Sequence, residues 1–139
     1  MNAALGTAGI VLGVAASLGG VVTLAVALVQ RKRHLQAVGR SYVLLALVGA
    51  VVAFAAMERA LITRDFTIDY VAQNGSSKTP ALYNVATLWA ALEGSILLWV
   101  LILTGYMTLV VHKFRKRLDD PLVGWAMLTM LVVSGFFFV

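Results

Sequence analysis

Residues 66–99 decide the fold, and they read FTIDYVAQNGSSKTPALYNVATLWAALEGSILLW. The first half is polar and contains turn-forming residues and a proline, whereas the second half begins a long apolar segment. Glu93 lies inside that apolar segment, where a carboxylate is costly to place against lipid and therefore marks a buried polar contact or a functional site. We predict that the rest of the chain is a scaffold that places this loop and the helix after it at one membrane surface.

The composition predicts an integral membrane protein. Of the 139 residues, 61% are hydrophobic and 12% are charged, whereas soluble domains are about 45–50% apolar and about 25% charged. The net charge of +5 does not indicate a nucleic-acid partner, because the basic residues fall in short clusters between apolar runs. The lack of cysteine excludes disulfides, thiolate metal sites and a cysteine nucleophile.

Four apolar runs are long enough to cross a bilayer core of roughly 30 Å as helices. We therefore predict an all-α integral membrane fold, a polytopic helical bundle with four transmembrane helices, in which residues 1–139 form a single transmembrane domain within the lipid bilayer. The predicted spans are residues 4–29, 41–62, 84–111 and 122–139, joined by cytoplasmic loops at 30–40 and 112–121 and by an outer loop at 63–83.

The basic residues set the predicted orientation. Eight of the eleven lysines and arginines lie in the loops at 30–40 and 112–121. By the positive-inside rule both loops are cytoplasmic, so the N-terminus lies outside. His34 and His112 belong to these clusters, and we interpret them as solvated or interfacial residues rather than ligands.

Small residues in the first span predict a helix-packing face. Gly9, Gly13 and Ser17 recur at a spacing of four, which lets another helix approach closely. The alternative is that glycine and alanine are simply common in membrane helices. At the outer end of the second span, Glu58 and Arg59 either extend into the interface or pair with groups on neighbouring helices.

The outer loop and the third span contain the candidate site. Residues 66–70 alternate between apolar and polar types, which predicts a short extended segment. Trp89 and Glu93 are four residues apart, as are Ser95 and Trp99, so each pair is predicted to share a helix face.

Glu93 itself is predicted to face protein, because its short stem cannot reach the interface. Its partner could be a hydroxyl group, a backbone amide, Arg59 or a segment outside this chain, and both a structural and a functional carboxylate remain open. Gly94 removes side-chain bulk beside it and allows close helix contact.

No spacing in the chain indicates a nucleotide loop, a metal site or a nucleophile with its base. We therefore assign no catalytic residue and no metal ligand. The last apolar run ends on three phenylalanines and a valine without a polar flank, so we expect the chain to be part of a longer membrane protein.

Two blocks of sequence carry a resemblance to a known family. One is Tyr70-Val71-Ala72-Gln73-Asn74 followed by Pro80, Tyr83 and Ala86, and the other is Leu88-Trp89-Ala90-Ala91-Leu92-Glu93-Gly94-Ser95-Ile96-Leu97-Leu98-Trp99. Together they resemble the N-terminal region of the CcmF/NrfE/CcsA family of cytochrome c biogenesis proteins, with the CcmF-type haem lyase subunit as the nearest match. Ile96 and Thr79 stand where the family usually has leucine.

The resemblance implies a multi-pass protein of the bacterial inner membrane that takes part in covalent attachment of haem to apocytochrome c on the outer side. It implies haem as cofactor, and a CcmE-like haem chaperone, a CcmH-like subunit and apocytochrome c as partners. The family's tryptophan-rich segment and outer histidine ligands do not occur here, so we assign no haem ligand and do not expect this chain to attach haem alone. The residues carried over as motif residues are Tyr70, Pro80, Tyr83, Trp89, Glu93, Gly94, Ser95 and Trp99.

Two other functions are compatible with the residues themselves. In one, the protein is an ion- or proton-coupled transporter or channel subunit that uses Glu93, because a membrane carboxylate can serve a proton path. In the other, it is a small structural membrane subunit in which Glu93 and the glycines serve only helix packing.

Overall fold

A computed structural model describes residues 1–74, 81–90, 92–117 and 120–139. Within these ranges there is no β-strand, and four helices are long and apolar enough to cross a membrane, which confirms the prediction of an all-α membrane bundle. The helices are α1 (Asn2–Val29), α2 (Arg33–Ile62), α3 (Asp69–Asn74), α4 (Ala81–Ala90), α5 (Leu92–Lys113) and α6 (Pro121–Phe138).

The second helix begins well before the span predicted for it. It starts at Arg33, so most of the predicted loop at 30–40 is helical and only three residues connect it to α1. A helix can continue past the apolar core, because its backbone hydrogen bonds are made within the segment in water and in lipid alike. Which of these residues lie within the bilayer stays a prediction.

Both α1 and α2 end in the same kind of turn, with an arginine in the left-handed backbone region. Arg31 has φ 53° and Arg64 has φ 54°. In each turn the N–H of the next residue donates to the carbonyl oxygen five residues back at 2.9 Å, which is the hydrogen bond of a Schellman motif. Glycine usually occupies this position because it has no Cβ.

Helices α1 and α2 are in close contact through glycine. A Cβ added to Gly9 would lie 2.6 Å from the backbone nitrogen of Ala53, and one added to Gly49 would lie 2.7 Å from the backbone nitrogen of Gly13. The predicted packing face is therefore present, and the two backbones approach closely, as small residues allow.

The remainder of that face contacts α6, which runs antiparallel to α1. Ser17 lies 3.3 Å from a Cβ placed on Gly135, and Phe138 fills the space beside Gly13. At its start α6 is capped by Asp120, whose carboxylate accepts a 3.0 Å hydrogen bond from the N–H of Leu122. The main core lies between α1, α2, α5 and α6 and includes Leu24, Val43, Ala50, Val100, Met107, Met127 and Leu131.

Candidate functional site

The predicted third span is interrupted near its outer end. Helix α4 ends at Ala90 and α5 begins at Leu92, and a Cβ added to Gly94 would overlap the carbonyl oxygen of Leu88. Six residues of continuous helix would separate these positions by about 9 Å along the axis. The contact shows that the chain changes direction between Leu88 and Gly94, and the single long helix predicted over residues 84–111 is wrong here.

Tyr70 binds the end of the interrupted helix. Its hydroxyl donates to the carbonyl oxygen of Leu88 at 2.7 Å and lies 3.0 Å from that of Thr87. The last carbonyls of a helix have no partner within the helix, and Tyr70, which is 8% exposed, supplies one from α3. A Cβ on Gly94 would also overlap the Tyr70 hydroxyl, so Gly94 leaves the space that this contact requires.

A second, smaller core holds Tyr70 in place. Tyr70 and Val71 pack with Leu88 against the last turns of α2 at Ala60 and Leu61. The three elements therefore meet at the end of the bundle that the positive-inside rule places outside. We call the group formed by Tyr70, Leu88 and Gly94 the α4–α5 junction.

The predicted extended segment at residues 66–70 is wrong. The N–H of Phe66 donates to the carbonyl oxygen of Arg64, the N–H of Ile68 donates to that of Asp65, and α3 follows from Asp69. An alternation of five residues is too short to distinguish a strand from successive turns, and the adjacent pair Tyr70 and Val71, both buried, fits a helical turn rather than a strand with one buried face.

The structure brings together only part of the predicted motif. Tyr70 and Gly94 meet at the α4–α5 junction, whereas Tyr83, Trp89 and Trp99 are exposed. The Ser95 hydroxyl donates to the carbonyl oxygen of Leu92 in its own helix at 2.7 Å. Pro80 and the side chain of Glu93 lie outside the described part of the chain.

The interruption also changes one inference from spacing. Trp89 belongs to α4 and Glu93 to α5, so the rule that residues four apart share a helix face does not apply to them. Ser95 and Trp99 lie in the same helix and keep that relation.

Sequence reasoning missed a polar cluster at the same end of the bundle. The Asn2 side-chain amide donates to a carboxylate oxygen of Asp65 at 3.0 Å and lies 3.5 Å from the Thr63 hydroxyl. The Thr67 hydroxyl donates to the other Asp65 oxygen at 2.5 Å. This hydrogen bond is the main cause that lowers the pKa of Asp65, and desolvation opposes it. Asn2 and Asp65 are 63 positions apart in the chain, and no local pattern relates them.

Glu58 has one carboxylate oxygen that is buried and has no hydrogen-bond partner among the described residues. Arg59 beside it is exposed. Of the two alternatives for Glu58, pairing with a neighbouring helix finds no partner for this oxygen in the described part of the chain.

A small apolar cleft lies between the start of α1, the last turns of α2 and α5. Its volume is about 200 Å³, below the roughly 300–1,000 Å³ of typical ligand pockets. Within the described ranges no three metal-ligating side chains come together. The cleft is lined by Asn2, Ala3, Gly6, Thr7, Ile10, Ala53, Ala56, Met57, Ile68 and Leu97.

Comparison with known proteins shows which proteins this chain is similar to. No protein-family model matches the chain. The chain is 40% identical over 82 residues to the cytochrome c-type biogenesis protein CcmF of Escherichia coli (strain K12), covering 59% of this chain and 12% of that protein. It is 35% identical over 82 residues to the probable cytochrome c-type biogenesis protein NrfE of the same organism, covering 59% of this chain and 14% of that protein.

A solved structure extends the similarity to almost the whole chain. The bundle is similar to the cytochrome c haem lyase CcmF with a TM-score of 0.92 and 38% sequence identity, covering 99% of this chain and 23% of that one. The fold and the comparisons together define a multi-pass membrane protein. The similarity to CcmF and NrfE, both cytochrome c-type biogenesis proteins, confirms the resemblance found in the sequence. It spans about one eighth of the length of the curated relatives it matches.

Proposed function

We propose that this chain acts in cytochrome c maturation, as part of a membrane haem lyase subunit in the bacterial inner membrane. The observation that supports the proposal most directly is the similarity of 99% of the chain to the haem lyase CcmF. By the same resemblance, the partners are a CcmE-like haem chaperone, a CcmH-like subunit and apocytochrome c.

Haem does not fit the described residues. Iron ligands in haem proteins are chiefly histidine, cysteine, methionine or tyrosine side chains. His34 and His112 are exposed at the basic ends of their helices, the Tyr70 hydroxyl is used to bind the end of α4, and the cleft beside Met57 holds only about 200 Å³. We therefore derive no step of haem attachment from these residues.

The role that the geometry supports is to shape the outer surface of the membrane domain. Beyond the α4–α5 junction, Tyr83 and Trp89 of α4 are exposed. Large aromatic side chains of this kind are enriched in protein interfaces and at the membrane boundary. In this proposal, the surface around α4 is where the partners or the apocytochrome approach.

Deletion of the gene in its native bacterium tests the function. We expect the loss of c-type cytochromes with covalently bound haem, measured by haem staining of denaturing gels, while the apocytochrome is still made. Unchanged covalent haem in the deletion strain would overturn the proposal.

Gly94→Ala in the full-length native protein tests the junction. The added Cβ would overlap the Leu88 carbonyl oxygen, so α4 must move. We expect the covalent haem yield to fall about tenfold, and a tenfold change corresponds to a free-energy difference of about 1.4 kcal/mol. The matched control is Gly105→Ala in the same helix, where a Cβ would have nothing within 4 Å. Equal yields for the two variants, at equal protein levels by an affinity tag, would exclude a role of the junction.

A further inference from the structure

A cavity of about 390 Å³ opens at the other end of the bundle, where α1, the start of α2 and the start of α6 meet. The positive-inside rule places this end in the cytoplasm. The cavity is separate from the α4–α5 junction. Its lining residues are Leu28, Arg31, Arg33, Gln36, Pro121 and Trp125.

The cavity is lined by two cations. Arg31 and Arg33 both border it, and guanidinium groups bind phosphate with paired, charge-assisted hydrogen bonds. Arg31 occupies the left-handed position of the turn that ends α1, a backbone conformation that glycine adopts more easily. The turn therefore does not require an arginine, and the guanidinium can be removed without removing the turn.

A buried amide lies at the wall of the cavity. Gln36 is 3% exposed, and its side-chain carbonyl oxygen is buried without a hydrogen-bond partner among the described residues. The side chain is held between helices, since its amide carbon is 3.6 Å from a Cβ placed on Gly124. Buried polar atoms are almost always paired in folded proteins, so this oxygen points to a donor supplied by a bound molecule.

An aromatic ring borders the same space. Trp125 is 55% exposed and lies on α6 one turn after Pro121. Tryptophan is enriched at the level of the lipid headgroups. The cavity thus combines two cations, an acceptor without a partner among the described residues, and an exposed tryptophan ring.

We propose that this cavity binds the headgroup of an anionic phospholipid from the cytoplasmic leaflet. Arg31 and Arg33 hold the phosphate, and a hydroxyl of the headgroup donates to the Gln36 carbonyl oxygen. Phosphatidylglycerol carries both groups, whereas phosphatidylcholine carries no net charge and no donor. Basic pockets between membrane helices on the cytoplasmic side are used in this way.

Native mass spectrometry of the full chain in detergent, with added phosphatidylglycerol or phosphatidylcholine, tests the proposal. We expect one phosphatidylglycerol to bind with clear preference over phosphatidylcholine. Arg31→Gly, which keeps the turn, is expected to weaken phosphatidylglycerol binding about five- to tenfold. Gln36→Leu is expected to weaken it about threefold, through the loss of one hydrogen bond.

Two variants serve as matched controls. Arg64→Gly makes the same substitution in the same kind of turn at the opposite end of the bundle, and Lys32→Gln removes a neighbouring charge that does not line the cavity. Both are expected to bind phosphatidylglycerol like the parent chain. Equal losses for Arg31→Gly and Arg64→Gly, or equal binding of both lipids, would overturn the site.

Inorganic phosphate separates a lipid site from a site for free anions. Inorganic phosphate in millimolar excess is expected to leave the bound phosphatidylglycerol in place, because the lipid is also held by its acyl chains. Complete displacement of the lipid by phosphate would show that the cavity is a general anion site and would overturn the proposal.

Discussion

Among the described residues, glycine allows a close approach of two backbone segments both between α1 and α2 and at the α4–α5 junction, and the segments involved differ. Between α1 and α2, Gly9 and Gly49 let two uninterrupted helices lie against each other. At the α4–α5 junction, Gly94 makes room for the carbonyl oxygen of Leu88 from the preceding helix. The first contact determines how two membrane spans pack. The second determines where one span is interrupted and which residue caps the end of α4.

An added side chain is expected to have different effects at the two contacts, because different neighbouring segments would have to move. A side chain between α1 and α2 meets the backbone of a long buried helix, which cannot shift without moving the core. A side chain at Gly94 meets the last turn of α4, a helix of ten residues. We therefore expect the α1–α2 contact to control the stability of the bundle, and the α4–α5 junction to control the placement of α4.

The largest effect is expected for Gly49→Leu. The new side chain would overlap the backbone of α1 at Gly9 and Gly13, and overpacking of this kind costs about 1–3 kcal/mol, here toward the upper limit because backbone must move. The measurement is the free energy of unfolding in mixed micelles of mild detergent and dodecyl sulfate. Gly105→Leu is the control and is expected to change it by less than about 0.5 kcal/mol, because its Cβ meets open space. Similar losses in free energy of unfolding for both variants would show that the effect of a larger side chain is not specific to the α1–α2 contact.

A smaller effect is expected for Tyr70→Phe. The ring keeps its packing with Val71 and Leu88, but the Leu88 carbonyl loses its 2.7 Å hydrogen bond, which is expected to cost about 1 kcal/mol. Hydrogen exchange of α4 should rise more than that of α1. Tyr83→Phe, an exposed tyrosine in α4 itself, is the control, and equal exchange in the two variants would argue against the capping role.

The two regions also differ in how well the sequence predicts them. The glycine face of α1 follows from a spacing of four within one run, because helix periodicity places those residues on one side. The interruption between Ala90 and Leu92 has no such signal. Leucine, alanine and glycine on either side of it are all compatible with a continuous membrane helix, and the cap comes from Tyr70, which is 18 positions from Leu88.

The candidate site shows the same limit. The motif singled out Tyr70 and Gly94 as candidate functional residues, but the spacing of the sequence could not show that they contact each other. The alternation at residues 66–70 predicted an extended segment where turns and α3 occur. Asn2 and Asp65 meet only because α1 and α2 run antiparallel for most of their length, so their contact depends on the packing of whole helices.

The smallest effect concerns the pH dependence of the turn that joins α2 to α3. The hydrogen bond from Thr67 lowers the pKa of Asp65 below its ordinary value of 3.8. A carboxylate with a lowered pKa contributes stability that is present above the pKa of the unfolded chain and is lost as pH falls through the pKa of the folded protein. Thr67→Val removes the donor while keeping the shape of the side chain. The difference in free energy of unfolding between the parent and Thr67→Val is therefore expected to be constant from pH 7 down to about pH 5, and to shrink as pH falls below the ordinary pKa of aspartate.

Thr87→Val is the control, because the Thr87 hydroxyl donates to the backbone carbonyl oxygen of Tyr83 and not to a carboxylate. The difference in free energy of unfolding between the parent and Thr87→Val should therefore not change with pH. A difference for Thr67→Val that is equally independent of pH would mean that the ionisation of Asp65 does not stabilise this turn.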